Sequence, residues 1–206
     1  MSRATGAARL LICAALRSEA AALRGATGGG RVLRTGLGPR RSSRRRNARA
    51  VDGSGALAVA GLAGGLGAVP SGGVVVADEV RDDTGTTVLP DAGALADRLR
   101  SNGFPVWIGP ISTTDHVVRP AEKGRLAAAG AIAVDMESAA LARLAGPRLR
   151  AVVRVVVDTP SEPLLRPLTP YRAIRALLRL RRLAPLLAEW AAEPAHAPAV
   201  SHRTVR

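Results

Sequence analysis

The chain has 206 residues, 47% of them hydrophobic, which fits one globular domain with a sizeable core and excludes a disordered polymer. Its formal net charge is +14, carried almost wholly by arginine, since Lys123 is the only lysine. Aromatics are 2%, so the core must be aliphatic, and a stacking platform for single-stranded nucleic acid is disfavoured. Cys13 stands alone, which rules out an internal disulfide framework or a cysteine metal cluster and makes a reducing cytoplasm the default compartment.

Residues 10–16 are apolar behind Arg3 and Arg9, yet Arg17 and Glu19 interrupt the run where a signal-peptide cleavage site would stand. The stretch 10–15 therefore reads as a buried strand. Glu19 follows in a short helix to Leu23. A glycine-rich turn at 25–30 leads to a second strand at 31–35, which ends in Gly36-Leu37-Gly38. Pro39 suits a first helical position, and residues 40–51 read as one helix with a strongly basic face. That face reads as solvated in preference to a nucleic-acid contact.

Residues 57–60 form a buried strand that runs into GLAGGLG at 61–67. Such a loop lets backbone approach a ligand and offers N–H donors to an anion. No G-K-[ST] follows, so it is not a P-loop, and no helical pattern follows, so it is not a dinucleotide fingerprint. The uncharged stretch 53–77 is long enough to span a bilayer, but its glycines, Pro70 and Ser71 favour strand–turn–strand. After the strand 74–77, Asp78, Glu79, Asp82 and Asp83 read as a solvated loop. No histidine lies near them in sequence, and no metal site is expected. A helix at 91–102, a strand at 105–111, a polar loop at 112–116 and a helix at 120–129 follow.

The stretch AIAVDMESAALARL at 131–144 ends a small apolar run in Asp135-Met136-Glu137 and opens a helix at Ser138. In extended chain Asp135 and Glu137 point to one side and Met136 to the other. Glu137 falls at the helix start, where unpaired N–H groups and the positive dipole end keep a carboxylate ionised. A fixed anionic acceptor there suits a pair of sugar hydroxyls; a solvated helix-start acid fits the same residues. Residues 151–157, AVVRVVV, are a strand buried on both faces apart from Arg154, with Asp158 at its end. One helix and one strand separate Glu137 from Asp158, the length of a parallel crossover, which puts both acids at carboxyl ends of strands in one sheet. Glu19 and the segments 36–38, 61–65 and 113–115 occupy the same kind of position, the rim where α/β sheets bind ligands.

Residues 171–192 form a long helical pattern interrupted at Pro185, with Ile174, Leu177, Leu178 and Leu183 on one face and arginines over the rest. It packs on the sheet, or lies as a basic amphipathic helix on anionic lipid. Residues 1–192 thus make a single domain whose segment 170–192 is this helix. Residues 193–206, with His196 and His202, read as a disordered tail.

Taken together, Glu19 after the first strand, TGLG at 35–38, AGLAGGL at 60–66, AVDMES at 133–138 and VVVD at 155–158 resemble the nucleoside phosphorylase and methylthioadenosine/adenosylhomocysteine nucleosidase superfamily over residues 10–160. The GLAGGL and DMES pair is most similar to its hopanoid-associated branch, which removes adenine from adenosylhopane, a polycyclic lipid carrying a nucleoside. The resemblance implies an α/β fold, a three-layer α/β/α arrangement with a mixed twisted sheet, and an enzyme that cleaves a purine N-glycosidic bond. By that resemblance Asp158 protonates the purine and Glu19 positions attacking water. Glu137 binds the ribose hydroxyls, with Met136 beside the sugar and Asp135 on the same side. Gly61, Leu62 and Ala63 face the ligand, and Val117 and Val118 face the base. No cofactor is implied.

The chemistry asks for such a division of roles. Adenine is a poor leaving group unless protonated, so a buried Asp158 behind a β-branched wall is expected to carry the proton while Glu137 stays anionic. Three departures from the family pattern bear on the substrate. Leu62 stands where a hydroxyl residue is usual, Val157 replaces a serine before the acid, and Val117 replaces an aromatic at the base; the segment between the first two strands is also short. If phosphate is the co-substrate, Gly36, Gly38, Arg40 and Arg41 are the available anion site. Water is preferred, because Glu19 is present and Leu62 removes a phosphate ligand. The expected partner is a small or lipid-linked nucleoside, with no specific nucleic acid. The resemblance allows a homo-oligomer, and a cytoplasmic protein peripheral to the inner membrane face. The alternatives are a general purine nucleoside phosphorylase and a catalytically silent nucleoside- or membrane-binding module.

Overall fold

The apolar runs all become strands, because Val, Leu, Ile and Ala in unbroken series fit extended chain covered on both faces. The computed structural model describes residues 10–26, 31–162, 169–193 and 201–204. The N-terminal arginines Arg3 and Arg9, most of the glycine turn (27–30) and His196 lie outside the described residues.

The first half of the chain runs β1 (Leu10–Ala14), α1 (Arg17–Arg24), β2 (Arg31–Arg34), α2 (Pro39–Ser42), α3 (Arg45–Asp52), β3 (Ala56–Gly65), β4 (Val74–Asp82) and β5 (Gly85–Val88). The second half runs α4 (Ala92–Ser101), β6 (Val106–Thr113), α5 (Pro120–Ala128), β7 (Ala133–Asp135) and α6 (Ser138–Ala145). A 3₁₀ turn (Gly146–Arg148) then leads to β8 (Leu149–Asp158), α7 (Thr169–Ala192) and β9 (Ser201–Thr204).

Among the described residues nine strands form one mixed sheet. Its alternating faces are covered from both sides. Ile12, Ala58 and Val153 pack with Leu23 of α1, Leu95 of α4 and Leu180 of α7. Leu11, Leu57 and Val152 pack on the other face with Val51 of α3 and Leu141 of α6. The layered α/β/α architecture is as expected; its closure is an addition. β3 pairs with β8, β8 with β4, β4 with β6, β6 with β7, and β7 returns to β3, so the middle of the sheet closes into a ring.

The pairing directions correct the expected parallel crossover. β3 and β8 are parallel, but β7 runs antiparallel to β3 at Gly64 and Gly65. Glu137 and Asp158 still sit at carboxyl ends of strands, because β3 carries the closure past its partner β1. The same ten-residue strand absorbs the predicted glycine loop. Gly61 to Gly64 pair with Arg154 to Asp158 of β8 instead of looping out. Glycine is needed there for space: a Cβ on Gly65 would lie 2.7 Å from Val156 Cγ1 and 3.0 Å from the Val69 carbonyl oxygen.

Other boundaries moved for local reasons. The basic helix predicted at 40–51 breaks into α2 and α3, because the buried Asn47 amide donates to the carbonyls of Thr35, Arg41 and Ser42 and ties off the first piece. The acids after residue 77 are not a loop. Asp78, Glu79 and Asp82 lie within β4, which forms a hairpin with β5, and Asp82 accepts from Arg143 at 2.7 Å. α7 continues through Pro185, since Leu183, Ala184, Leu187 and Trp190 are buried around it and outweigh one lost helix hydrogen bond. Its core face is Ala176, Leu180, Leu183 and Leu187, whereas Ile174 and Leu178 are exposed. Within the stretch expected to be disordered, Ser201–Thr204 add to β5 as an antiparallel edge strand.

Candidate active site

A cavity of about 260 Å³ opens where the carboxyl ends of β1, β3, β7 and β8 meet. Glu19, Glu137 and Asp158 all line it, although far apart in sequence. Most of its remaining wall is aliphatic, including Leu16, Leu37, Leu62, Val118 and Val157.

Glu19 enters from the first turn of α1 and is 2% exposed. One oxygen accepts the Leu16 N–H at 2.7 Å and the other the Leu62 N–H at 2.8 Å. The acid thus staples the end of β1 to the end of β3. Gly61 makes room: a Cβ there would lie 2.5 Å from Arg154 Nη1 and 2.8 Å from Glu19 Oε1.

Arg154 is the one charge in the apolar run 151–157 of β8, and it is fully buried behind the cavity. Its Nη2 lies 2.7 Å from Asp135 Oδ2 and 3.7 Å from Glu137 Oε2, and donates to Ser138 Oγ at 2.9 Å. Burial alone disfavours the guanidinium charge; Asp135, Glu137 and Glu19 more than offset this and raise its pKa above the ordinary arginine value. Arg154 therefore holds the acidic cluster together from behind.

The helix start works differently from the sequence expectation. Asp135, not Glu137, takes the α6 N-terminal donors, accepting the Ser138 N–H at 3.2 Å and the Glu137 N–H at 3.3 Å. Besides Arg154 it accepts from the hydroxyls of Thr113, at 2.8 Å, and Ser138. Among the described residues the Glu137 side chain accepts a hydrogen bond only from the Gly38 N–H, at 2.8 Å. Its carboxyl pKa is pushed up to about 7, first by burial, against Arg154, and with help from Asp135 and Glu19. Burial has outweighed the helix dipole, so the expected permanently ionised Glu137 is corrected to one that titrates near neutrality.

Asp158 ends β8 and is buried in an ion pair with Lys123, which reaches over from α5. Both groups line the cavity. Asp158, expected to stand alone behind a β-branched wall, has Lys123 as its partner. Gly64 leaves the space for it, since a Cβ there would lie 3.1 Å from both Asp158 Oδ1 and Lys123 Nζ. At the rim His116 stands between Asp115, at 2.7 Å, and Glu122, at 3.0 Å, and these two partners raise its pKa in that order.

The sequence profile of the Phosphorylase superfamily matches residues 22–166, more than half of the chain. The chain belongs to the phosphorylase superfamily. Solved structures of similar fold include the methylthioadenosine/adenosylhomocysteine nucleosidase of Neisseria meningitidis in complex with methylthio-immucillin-A. That structure is 17% identical, covers 87% of this chain and 98% of its own, and has a TM-score of 0.74. The corresponding nucleosidase of Campylobacter jejuni is 14% identical over 88% of this chain and 99% of its own, at a TM-score of 0.74. The adenosylhomocysteine nucleosidase of Streptococcus pyogenes, with 5-methylthiotubericidin, is 21% identical over 90% and 98%, at 0.69. No curated protein matches the sequence.

Within this superfamily member, the predicted residues separate into two groups. Met136, Leu62, Ala63, Val117 and Val118 line the cavity beside the three acids and Asp135. Gly61 lies behind it against Arg154. Gly36, Gly38, Arg40 and Arg41 do not assemble an anion site: Glu137 takes the Gly38 N–H, Arg41 packs on Gly36, and Arg40 and Arg41 are exposed, outside the cavity lining. Sequence reasoning missed Lys123 and gave Arg154 no role. Two signals were available: Lys123 is the sole lysine among 30 basic residues, and Arg154 is the lone charge in the apolar run 151–157.

Proposed function

We propose that this protein hydrolyses the N-glycosidic bond of a purine nucleoside with a large apolar 5′ substituent, adenosylhopane, and releases adenine. The observation that carries the reading is the convergence of Glu19, Glu137 and Asp158 on one aliphatic cavity. The superfamily's membership and fold support the reaction class; the aliphatic wall and the similarity of GLAGGL and DMES to the hopanoid-associated branch support the substrate.

In this reading the ribose hydroxyls are held by Glu137, whose Gly38 and Arg154 contacts fix its position. Water sits on Glu19, whose two oxygens each spend one lone pair on a backbone N–H and keep another for the nucleophile. Attack at the anomeric carbon forms the C–O bond as the C–N bond to the base breaks. The proton of water passes to Glu19. The departing base takes a proton from the Lys123–Asp158 pair, which holds one between them and is left as amine and carboxylate. Phosphate is disfavoured as the nucleophile, because the Gly38 donor is occupied and no arginine of the 40–41 pair reaches the cavity.

The test is incubation of purified protein with adenosylhopane, and separately with methylthioadenosine, with and without phosphate. Free adenine from adenosylhopane without phosphate is the expected result, and Asp158→Asn abolishes it while leaving ligand binding intact. Adenine only with phosphate, accompanied by ribose 1-phosphate, would replace hydrolysis by phosphorolysis. No adenine under any condition removes the proposal.

A further inference from the structure

α7 carries two apolar stripes. One, Ala176, Leu180, Leu183 and Leu187, is buried on the sheet. The other, Tyr171, Ile174 and Leu178, is 57–58% exposed. At 3.6 residues per turn the two stripes lie about 180° apart, so the second faces away from the core. Arginines flank it on both sides, Arg175, Arg179 and Arg182 on one and Arg181 on the other. These four share a surface depression with Leu178. Their mutual field is strong enough to be felt at Arg179, whose guanidinium is disfavoured first by burial and then by Arg175 and Arg182.

We propose that this outer face of α7 docks on an anionic lipid bilayer, with Tyr171, Ile174 and Leu178 entering the acyl boundary and the flanking arginines meeting the headgroups. Charge complementarity selects the partner: a stripe of large apolar side chains between arginines matches a surface that is anionic outside and apolar beneath. A soluble anion would engage the arginines and leave the apolar residues in water. A phosphate backbone would do the same, with no aromatic beyond Tyr171 on the face to stack a base. The first turns of the same helix supply Ala173 to the cavity wall, so docking holds the cavity beside the membrane. The inference goes beyond the catalytic reading and requires no turnover.

The experiment is co-sedimentation of the full chain with vesicles of phosphatidylcholine alone and with phosphatidylglycerol added. Binding to the anionic vesicles at least tenfold above the neutral ones, falling with salt, is expected. Arg175→Glu with Arg181→Glu should weaken it by about fivefold per residue or more. Ile174→Asp with Leu178→Asp should abolish it; all four sites are exposed, and unchanged thermal melting shows that the variants fold. Absence of binding, or binding that ignores both double variants, overturns the proposal. Loss of self-association in the Asp variants, measured by sedimentation equilibrium, would make the face a contact between copies instead. Tighter binding to duplex DNA than to vesicles, lost in the Glu variants and kept in the Asp variants, would also overturn it.

Discussion

Glu137→Gln should stabilise the unliganded protein while disabling it. The carboxyl is pushed from its ordinary 4.5 to about 7, chiefly by burial. At 1.36 kcal/mol per unit this amounts to about 3 kcal/mol. The folded state binds the proton more tightly than the unfolded state. The group's contribution is therefore full below about pH 4.5 and is lost as pH rises through about 7. Gln keeps an acceptor for the Gly38 N–H and does not ionise, so the variant escapes that loss. Urea unfolding at pH 5 and pH 8.5 should show similar stabilities at pH 5. At pH 8.5 the variant should lead by about 3 kcal/mol, or about 6–12 °C in melting temperature. On the proposed mechanism adenine release should fall about 100-fold, because the ribose hydroxyls lose the Glu137 carboxyl that positions them. A stability difference that does not change with pH, or a variant less stable at pH 8.5, would refute the dominance of burial and show that Arg154 keeps Glu137 ionised.

Lys123→Met strands the Asp158 carboxylate in a buried site and should cost about 3–5 kcal/mol in urea unfolding at pH 8. Adding Asp158→Asn should restore most of it; additive losses would show that the pair is not coupled. Gly61→Ala places a Cβ 2.5 Å from Arg154 Nη1 and 2.8 Å from Glu19 Oε1. It should destabilise by about 1–3 kcal/mol and lower kcat by about 100-fold, with thermal melting and adenine release as the two readouts. Unchanged kcat would separate Glu19 from the reaction. Thr113→Val removes one hydroxyl donor to Asp135 and the acceptor of the Ala139 N–H, and should cost about 1–3 kcal/mol by the same unfolding assay.

Much of this site could be read before any coordinates, and the reasons are local. β1 announces itself as an unbroken apolar run and β8 as one broken only at Arg154 between residues 151 and 157, and α6 follows AVDM through a capping acid and an alanine-rich pattern, so Glu19, Glu137 and Asp158 could each be placed at a strand end from sequence neighbours alone. Their meeting also followed from the rule that strand ends share a rim. What the chain could not disclose is what lies across a gap between strands. The glycine run 61–65 looks like a loop from its composition, since glycine signals both turns and crowding. Only the packing of Arg154, Glu19 and the Lys123–Asp158 pair against it shows that crowding is the cause. Likewise, charge state depends on burial and on partners distant in sequence. A helix start argued for an ionised Glu137, yet tertiary closure of the sheet buried it beside Asp135 and Glu19 and gave the helix donors to Asp135 instead. Residue type and order decided which groups reach the rim; the three-dimensional closure of β3, β7 and β8 decided the protonation of Glu137, because electrostatic free energy is set by neighbours in space and by exclusion of water.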